Sequence, residues 1–372
     1  MSAGEPVSPS PASPPLAALR AQFPVLDRLA YLNAGTNGPL PAAAVAAARA
    51  QLEREQAEGR AGLAHFERRV ALTDDLRAAY AACVGCAPAD LALTTSTTDG
   101  IARVLLALDL RPGEEIVTSD EEHPGLLGPL SAQRARGVRV RIAPWADLAD
   151  AVGPDTRLVA CSHVSWRSGR FAPAALASLD VPVLLDGAQG AGAVAVDVAA
   201  LGADAYAAAG QKWLCGPEGA GLLYVSPALR ERMRAPAPGY ANLADTAAGL
   251  DAVPWEDARA YDTPALPAAS LAQARAALDV LGAAGWEAVH AAAAALAATA
   301  ADALRSYGRD VLARDRTTLV TWREADAEGA VARLAATGVV VRSLPGEDLL
   351  RASFGAWNTA DDLDRLLAAL PR

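Results

Sequence analysis

Lysine is nearly missing from this chain. Of its 33 cationic residues, 32 are arginine and one is Lys212, where ordinary usage would give about 20 lysines in a chain of this length. A guanidinium can replace an ammonium as a surface charge or ion-pair partner, but it stays protonated and cannot become the nucleophilic amine of an imine. Chance survival at the surface is one account of Lys212 and a chemical need for an amine is the other, so its surroundings must decide. Cationic excess is also absent. The 33 cations face 43 carboxylates for a net charge of -10, the wrong sign for holding nucleic acid by phosphate neutralisation. Cysteine is scarce: of four, Cys83 and Cys86 form a lone CxxC with no second Cys or His pair at metal-ligand spacing, so buried thiols are expected and no metal site. No long apolar run occurs, and the most apolar stretch, Ala291 to Ala298, is too short and alanine-rich to span a bilayer. Residues 1–15, MSAGEPVSPSPASPP, lack the apolar centre of a secretory leader. They read as a disordered lead-in, and the protein as cytoplasmic. No fixed-period repeat appears.

What is present is a globular composition, 52% hydrophobic and 20% charged, long enough for two domains with a substantial core. From Leu91 onward short apolar runs alternate with helical ones, as a mostly parallel sheet covered by helices requires. The expected strands are LALTT (91–95), EEIVTS (114–119), VRVRIAP (138–144), RLVACSHV (157–164), VPVLLD (181–186), ADAYAAAG (203–210) and GAGLLYVS (219–226), with helices over Thr98 to Leu108 and Gly125 to Arg136. Near Pro236 to Pro267 the alternation gives way to an irregular stretch, and a long alanine-rich helix is predicted from Ala268 to Ser306. TTLVTWR, GVVVRSL and LLRASFG then read as strands and TADDLDRLLAAL as an acid-started helix. The expectation is an α/β fold with a large domain over residues 16–279, its first residues packing on the small domain, and a smaller α+β domain over 280–372.

Asp186 closes the apolar strand VPVLLD, so its carboxylate belongs at the carboxyl end of a buried strand, the edge where ligands bind in open α/β sheets. Lys212 follows the next strand and can reach the same edge. An acid and an amine there form either a plain ion pair or the two ends of a pyridoxal phosphate site. The second reading needs hydroxyls and N–H groups at a helix N-terminus for the phosphate, and Ser96, Thr97 and Thr98 stand where a strand gives way to a helix. It needs a stacking partner for a flat ring, and His123 in EEHPG follows a strand. It needs a guanidinium for a substrate carboxylate, and Arg351 opens RASFGAWNT in the small domain. Each feature has a bland alternative as a helix cap, a structural imidazole or one arginine among many.

The segments YLNAGTNGPLP, TTSTTDGIARVL, EEHPG, SHVSWRSG, LLDGAQGAGAVAVDVAALGADAYAAAGQKWLCGP and LRASFGAWNTADDLD resemble, in order from Tyr31 to the C-terminus, the class V aminotransferase family. That fold-type-I pyridoxal phosphate group includes cysteine desulfurases and isopenicillin-N epimerase-like proteins. The resemblance implies that Lys212 forms the imine with pyridoxal 5'-phosphate, Asp186 pairs with the pyridine nitrogen, Gln189 approaches the ring hydroxyl, His123 stacks on the ring, and Thr97 and Thr98 hold the phosphate. It implies that Thr263, in YDTP, reaches the phosphate of a neighbouring subunit, making the site depend on a homodimer. Desulfurases carry Ser and His where Ala209 and Gln211 stand here, which removes one phosphate hydroxyl and one imidazole from the phosphate anchor and leaves Gln211 as a candidate cofactor contact. Their SHVSN-like segment reads SHVSW, so no family role carries over to Trp166, which stands as a candidate pocket residue. Arg351 and Asn37 join Trp166 as substrate contacts, with Arg167, Trp213 and Arg342 as further pocket candidates.

The chemistry expected is that of an α-amino acid exchanging its amine for Lys212, whose freed amine then takes the α-proton, while Asp186 keeps the ring nitrogen protonated. Transamination is expected first, β-eliminating C–S cleavage second and epimerisation third. A persulfide-forming desulfurase is disfavoured because VRSLPGEDLLRASFG, where the family's loop thiol lies, contains no cysteine. Cys215 is tied to the lysine turn and reads as packing. A sugar- or nucleotide-binding α/β protein is the alternative of another class, but GAQGAG lacks the G-x-G-x-x-G spacing.

Overall fold

Seven short runs, most of them fully buried, pair into one sheet in the computed structural model, which describes residues 14–371. In chain order the first half contains α1 (Pro14–Ala21), β1 (Ala30–Tyr31), α2 (Ala42–Glu58), α3 (Leu63–Val84), β2 (Leu91–Thr94), α4 (Thr97–Ala107), β3 (Glu115–Ser119), α5 (Pro124–Ala135), β4 (Arg139–Ala143), β5 (Thr156–Ser162), β6 (Val183–Asp186), β7 (Ala205–Ala209) and β8 (Gly221–Val225). After α6 (Pro227–Arg230) and an irregular stretch come α7 (Ala268–Ala283), α8 (Trp286–Ser306), β9 (Leu319–Arg323), α9 (Ala327–Ala336), β10 (Val339–Val340), β11 (Arg342–Ser343), β12 (Leu349–Ser353) and α10 (Ala360–Ala369).

All seven large-sheet strands expected from the sequence form, six of them trimmed by one or more residues and β5 beginning one residue earlier, at Thr156, and ending at Ser162. The order is β2-β8-β7-β6-β5-β3-β4, parallel except for β8, which runs antiparallel to both neighbours. Strands β6 and β7 are buried along their whole length, and hydrophobic clusters fill both faces of the sheet. That two-sided burial is why these strands read as continuous apolar runs rather than alternating ones. The edge strand β4 carries Arg139 and Arg141 and is largely exposed, a charged edge that discourages further pairing. The fold is α/β, fold type I, with a mostly parallel central sheet and helices.

A second, three-stranded antiparallel sheet has the order β11-β12-β9. The N-terminal segment docks on it: β1 pairs in parallel with β10, and Ser353 N–H donates to Leu32 O at 2.8 Å. The predicted strand GVVVRSL is therefore split, because Val339–Val340 pair with β1 while Arg342–Ser343 pair with β12. The predicted helix from Ala268 to Ser306 is likewise two helices, α7 and α8, whose axes bend by 79°. The break is at Ala284 and Gly285, the latter at φ 83, a left-handed conformation that glycine adopts without Cβ strain. The boundary expected at 279/280 falls inside α7. Of the lead-in expected at 1–15, residues 1–13 lie outside the described residues, and Pro14 and Pro15 open α1. No single described helix is long and apolar enough to cross a membrane.

Candidate active site

The carboxyl ends of β5, β6 and β7 form one edge. Ser162 of β5 pairs with Asp186 of β6, and Asp186 with Ala207 of β7. Lys212 follows β7 in a turn closed by the Gly216 N–H on Gly210 O (2.9 Å) and the Cys215 N–H on Lys212 O (3.1 Å). Burial pushes the Lys212 ammonium down to about 8, with the Arg351 and Arg342 charges adding to the effect and Asp186 opposing it. An amine so placed is partly neutral near physiological pH, as imine formation needs. Asp186 is buried, and one oxygen accepts from Ala188 N–H at 2.9 Å. Burial raises its pKa, and the Lys212 charge and that N–H partly offset the rise. No ion pair within 4 Å joins Lys212 to Asp186 among the described residues, so the acid and amine sense one another's charge without touching. The plain ion-pair reading fails.

The N-termini of α4 and α5 meet beside this edge. Thr98 Oγ1 donates to Gly125 O at 3.0 Å, and Gly125 N–H donates to His123 Nδ1 at 2.9 Å. Because Nδ1 accepts, the proton of the neutral imidazole is on Nε2. Burial, followed by the Lys212, Arg342 and Arg351 charges, pushes His123 down to about 4 and keeps the ring neutral. Ser96 caps α4 by accepting from Asp99 N–H at 3.1 Å. The Thr97 hydroxyl, at the first helical position, is buried without a partner, and so is Gln211 Oε1 in the lysine turn. Thr263, predicted to serve another subunit, gives its hydroxyl to Asp99 of its own chain, while its N–H donates to Leu93 O at 2.8 Å.

Opposite, Arg351 is fully buried. Its Nη1 donates to Trp166 O at 2.8 Å, and its Nε and Nη2 have no partner. The Trp166 ring stands edge-on to His123, centroids 4.9 Å apart at 88°, and the Arg342 guanidinium lies 6.0 Å from its centroid. Trp166 thus joins His123 to both arginines. Arg342 Nη1 donates to Thr36 Oγ1 at 3.2 Å. The loop carrying Thr36 packs tightly here: a Cβ on Gly35 would lie 2.8 Å from Ser353 Oγ and 2.9 Å from both Arg351 Nη2 and Gln189 Oε1. Gln189 donates to Gly35 O at 2.8 Å and accepts from Trp213 Nε1 at 3.0 Å, leaving one amide N–H for a ligand. Asn37 donates instead to Glu218 at 3.0 Å, and Arg167 pairs with Glu347 at 2.6 Å. Trp213 is buried in the cluster between the two sheets.

The segment matching the desulfurase thiol loop is a tight hairpin, closed by the Leu344 N–H on Leu349 O at 3.0 Å and turned at Gly346. Cys215 is fully buried in an apolar cluster, and burial raises its thiol well above the ordinary range.

Fold and site together define a pyridoxal 5'-phosphate-dependent enzyme of fold type I. The chain belongs to the Aminotransferase class-V family, whose model matches residues 30–366. Over 281 residues, 69% of this chain and 68% of the relative, it is 31% identical to a probable cysteine desulfurase of Aeropyrum pernix. An isopenicillin N epimerase of Streptomyces clavuligerus is 31% identical over 54% of each chain. Among solved structures, the cystine C-S lyase C-DES in complex with its reaction product cysteine persulfide superposes with a TM-score of 0.88 at 28% identity, covering 93% of this chain and 98% of that one. The residues fit the cofactor. The orphaned Thr97 hydroxyl faces the need of a phosphate oxygen, Asp186 has an oxygen without a hydrogen-bond partner for the ring nitrogen, and Lys212 carries a depressed pKa.

Proposed function

We propose that this protein is a pyridoxal phosphate-dependent C–S lyase that cleaves cystine, or a closely similar amino acid with two carboxylates, to cysteine persulfide, pyruvate and ammonia. The observation that carries the reading is the pair Arg351 and Arg342, side by side in the site with no carboxylate partner among the described residues. One guanidinium suits an α-carboxylate, and a second suits the distal carboxylate of a disulfide-linked substrate. The hairpin without a thiol supports the same choice. Cysteine desulfurisation needs a protein sulfur to receive the sulfur atom, whereas in cystine cleavage the sulfur leaves as part of the substrate. The likeness to a cystine lyase supports placing elimination ahead of transamination, reversing the order expected from sequence.

When bound, pyridoxal phosphate supplies an electron sink for the carbanion at the α-carbon. The chain's own part begins with Lys212, which yields its place to the substrate amine and then takes the α-proton on Nζ. Asp186 holds a proton at the ring nitrogen by favouring the charged form. Arg351 and Arg342 fix the carboxylates, and His123 and Trp166 bound the ring and the substrate. The electron pair left at the α-carbon expels the persulfide, breaking the Cβ–S bond, and water releases the remaining three-carbon fragment as pyruvate and ammonia. We further infer a cytoplasmic homodimer in which Thr263 turns from Asp99 to the partner's phosphate. The test is to supply L-cystine to the holoenzyme: pyruvate and cysteine persulfide are expected in equal amounts. Pyridoxamine phosphate without pyruvate would make it an aminotransferase, α-hydrogen exchange alone an epimerase, and alanine from cysteine a desulfurase.

A further inference from the structure

Two consecutive glutamates are buried in the turn between β3 and α5, and only one of them is neutralised. Glu121 accepts from the Ser165 hydroxyl (2.5 Å), the Ser168 hydroxyl (2.7 Å) and Arg170 Nη2 (2.6 Å). Burial works to raise its pKa, but these donors outweigh it and hold the carboxyl below the ordinary range. Its role is to fasten the 163–170 loop. Glu122 has no cation within ion-pair distance among the described residues. It accepts from the Ser119 hydroxyl, from Ser162 N–H at 3.0 Å to Oε2 and 3.1 Å to Oε1, and from Ser162 Oγ at 2.6 Å. Burial pushes it up to about 7 despite these donors, with the Asp186 charge adding to the rise. The titratable groups coupled to it are Asp186 on β6 and the buried Cys161 on β5.

Burying a carboxyl without a counter-charge is costly, and the hydrogen bonds from Ser119 and Ser162 do not neutralise it. Such groups concentrate where the charge is used. The placement of Glu122 says where. Its main partner, Ser162, is the strand neighbour of Asp186 in the β5–β6 register, and the residue after it is His123, whose ring is set by the cap on α5. One side chain therefore stands behind both the carboxylate assigned to the ring nitrogen and the imidazole assigned to the ring face.

We propose that Glu122 is a positioning residue for the cofactor: through Ser162 and its peptide link to His123 it fixes the spacing between Asp186 and the stacking imidazole, and its buried negative charge favours the protonated ring. This rests on the assignment of Asp186 and His123 to the ring and goes beyond the substrate reading. The experiment measures pyridoxal phosphate affinity of the apoprotein by quenching of tryptophan fluorescence. Glu122→Gln keeps the shape and one acceptor oxygen, as the protonated carboxyl does, while removing the charge. It is expected to weaken binding about tenfold near pH 8, equivalent to a coupling of one pKa unit, and the gap to the parent should close near pH 5.5, where the parent's own Glu122 is protonated. Equal affinities at both pH values overturn the proposal, and a loss that is the same at both overturns its electrostatic part. Should that variant not fold, Ser162→Ala keeps the charge and the backbone N–H bonds and removes the hydroxyl bond of the tether. A several-fold loss of affinity is then expected, and unchanged affinity overturns the proposal. Asp186→Asn separates the underlying assignment: if it leaves affinity unchanged, the ring assignment fails, whereas a loss there with none in Glu122→Gln fails only the present inference.

Discussion

Arg342 lies directly opposite Arg351 in the register of β11 and β12. Like charges facing each other across a strand pair are destabilising, and here burial adds a desolvation cost that lowers the pKa of both guanidiniums, with the Arg342 charge contributing to the shift at Arg351. The pair is the opposite of what packing alone would select. Under the proposed function its charge would be offset by the two carboxylates of one substrate, and the same two cations add to the burial that depresses Lys212 and His123. On that reading, substrate recognition and part of the amine's activation draw on the same two cations.

Removing the second cation should consequently separate substrates. Arg342→Met is expected to lower kcat/KM for cystine by about 10- to 100-fold, the worth of a charge-assisted hydrogen bond. For an S-alkyl cysteine with one carboxylate it should fall no more than about threefold, within the range of neutral contacts. Pyruvate release measured on both substrates decides the matter, and equal losses would remove Arg342 from the distal subsite.

Lys212 gives a second prediction through its pH profile. Because its amine is pushed down to about 8 from an ordinary value of 10.5, the rate at which apoprotein forms the imine with added pyridoxal phosphate should rise with pH through about 8 and level off above it. Lys212→Arg should show no visible imine band and no change on borohydride treatment. A rate still climbing at pH 10 would mean that the amine sits in solvent.

Much of this was legible in the sequence, and the failures have physical causes. Apart from the exposed edge strand β4, the strands from Leu91 to Val225 stood out because burial on both faces makes them largely apolar runs, and Lys212 stood out because an arginine-biased chain kept one amine. Helices α2 and α3 were not anticipated, since their Ala-, Arg- and Glu-rich sequences carry only a faint apolar stripe. The bend between α7 and α8 was hidden because Gly282 and Gly285 stand in an alanine-rich run, and an isolated glycine is tolerated within many helices. Arg342 was recognisable as a pocket candidate, but its position opposite Arg351 depends on the antiparallel register that the Pro345–Asp348 turn imposes. Asn37 and Arg167 looked equally suited to substrate, and only distant chain segments reveal that Glu218 and Glu347 hold them. Glu122 gave no signal beyond standing next to His123.

Gly35 offers a test of the anion pocket that leaves every charge in place. A methyl group there would fall within 3 Å of Ser353 Oγ, Arg351 Nη2 and Gln189 Oε1. Their side-chain ends can shift, so the fold should survive at an overpacking cost of about 1–3 kcal/mol. Arg351 cannot move without leaving its carboxylate position. Gly35→Ala is expected to raise KM about tenfold with a smaller change in kcat. Unaltered KM would show that Arg351 does not meet the substrate in this geometry.

The last prediction concerns what holds Thr263 in place. Asp262, its neighbour, is gripped bidentately by Arg77 of α3 at 2.9 and 2.8 Å. The same carboxylate accepts from Leu93 N–H of β2 at 2.8 Å, and Arg77 also donates to Leu91 O at 2.8 Å. Both side chains are buried, so removing one leaves the other as an uncompensated charge. Asp262→Ala should cost about 3–5 kcal/mol in urea denaturation, whereas the double change Arg77→Met, Asp262→Leu should recover most of it, because a well-packed apolar pair can replace a buried ion pair at little cost. If Thr263 serves the partner's phosphate, the double variant should remain folded yet bind pyridoxal phosphate more weakly, since the YDTP segment has lost its side-chain anchor to α3 and Leu93 N–H and keeps only the Thr263 N–H bond to β2. Folded protein with unchanged cofactor affinity would confine Asp262 to stability and detach Thr263 from the site.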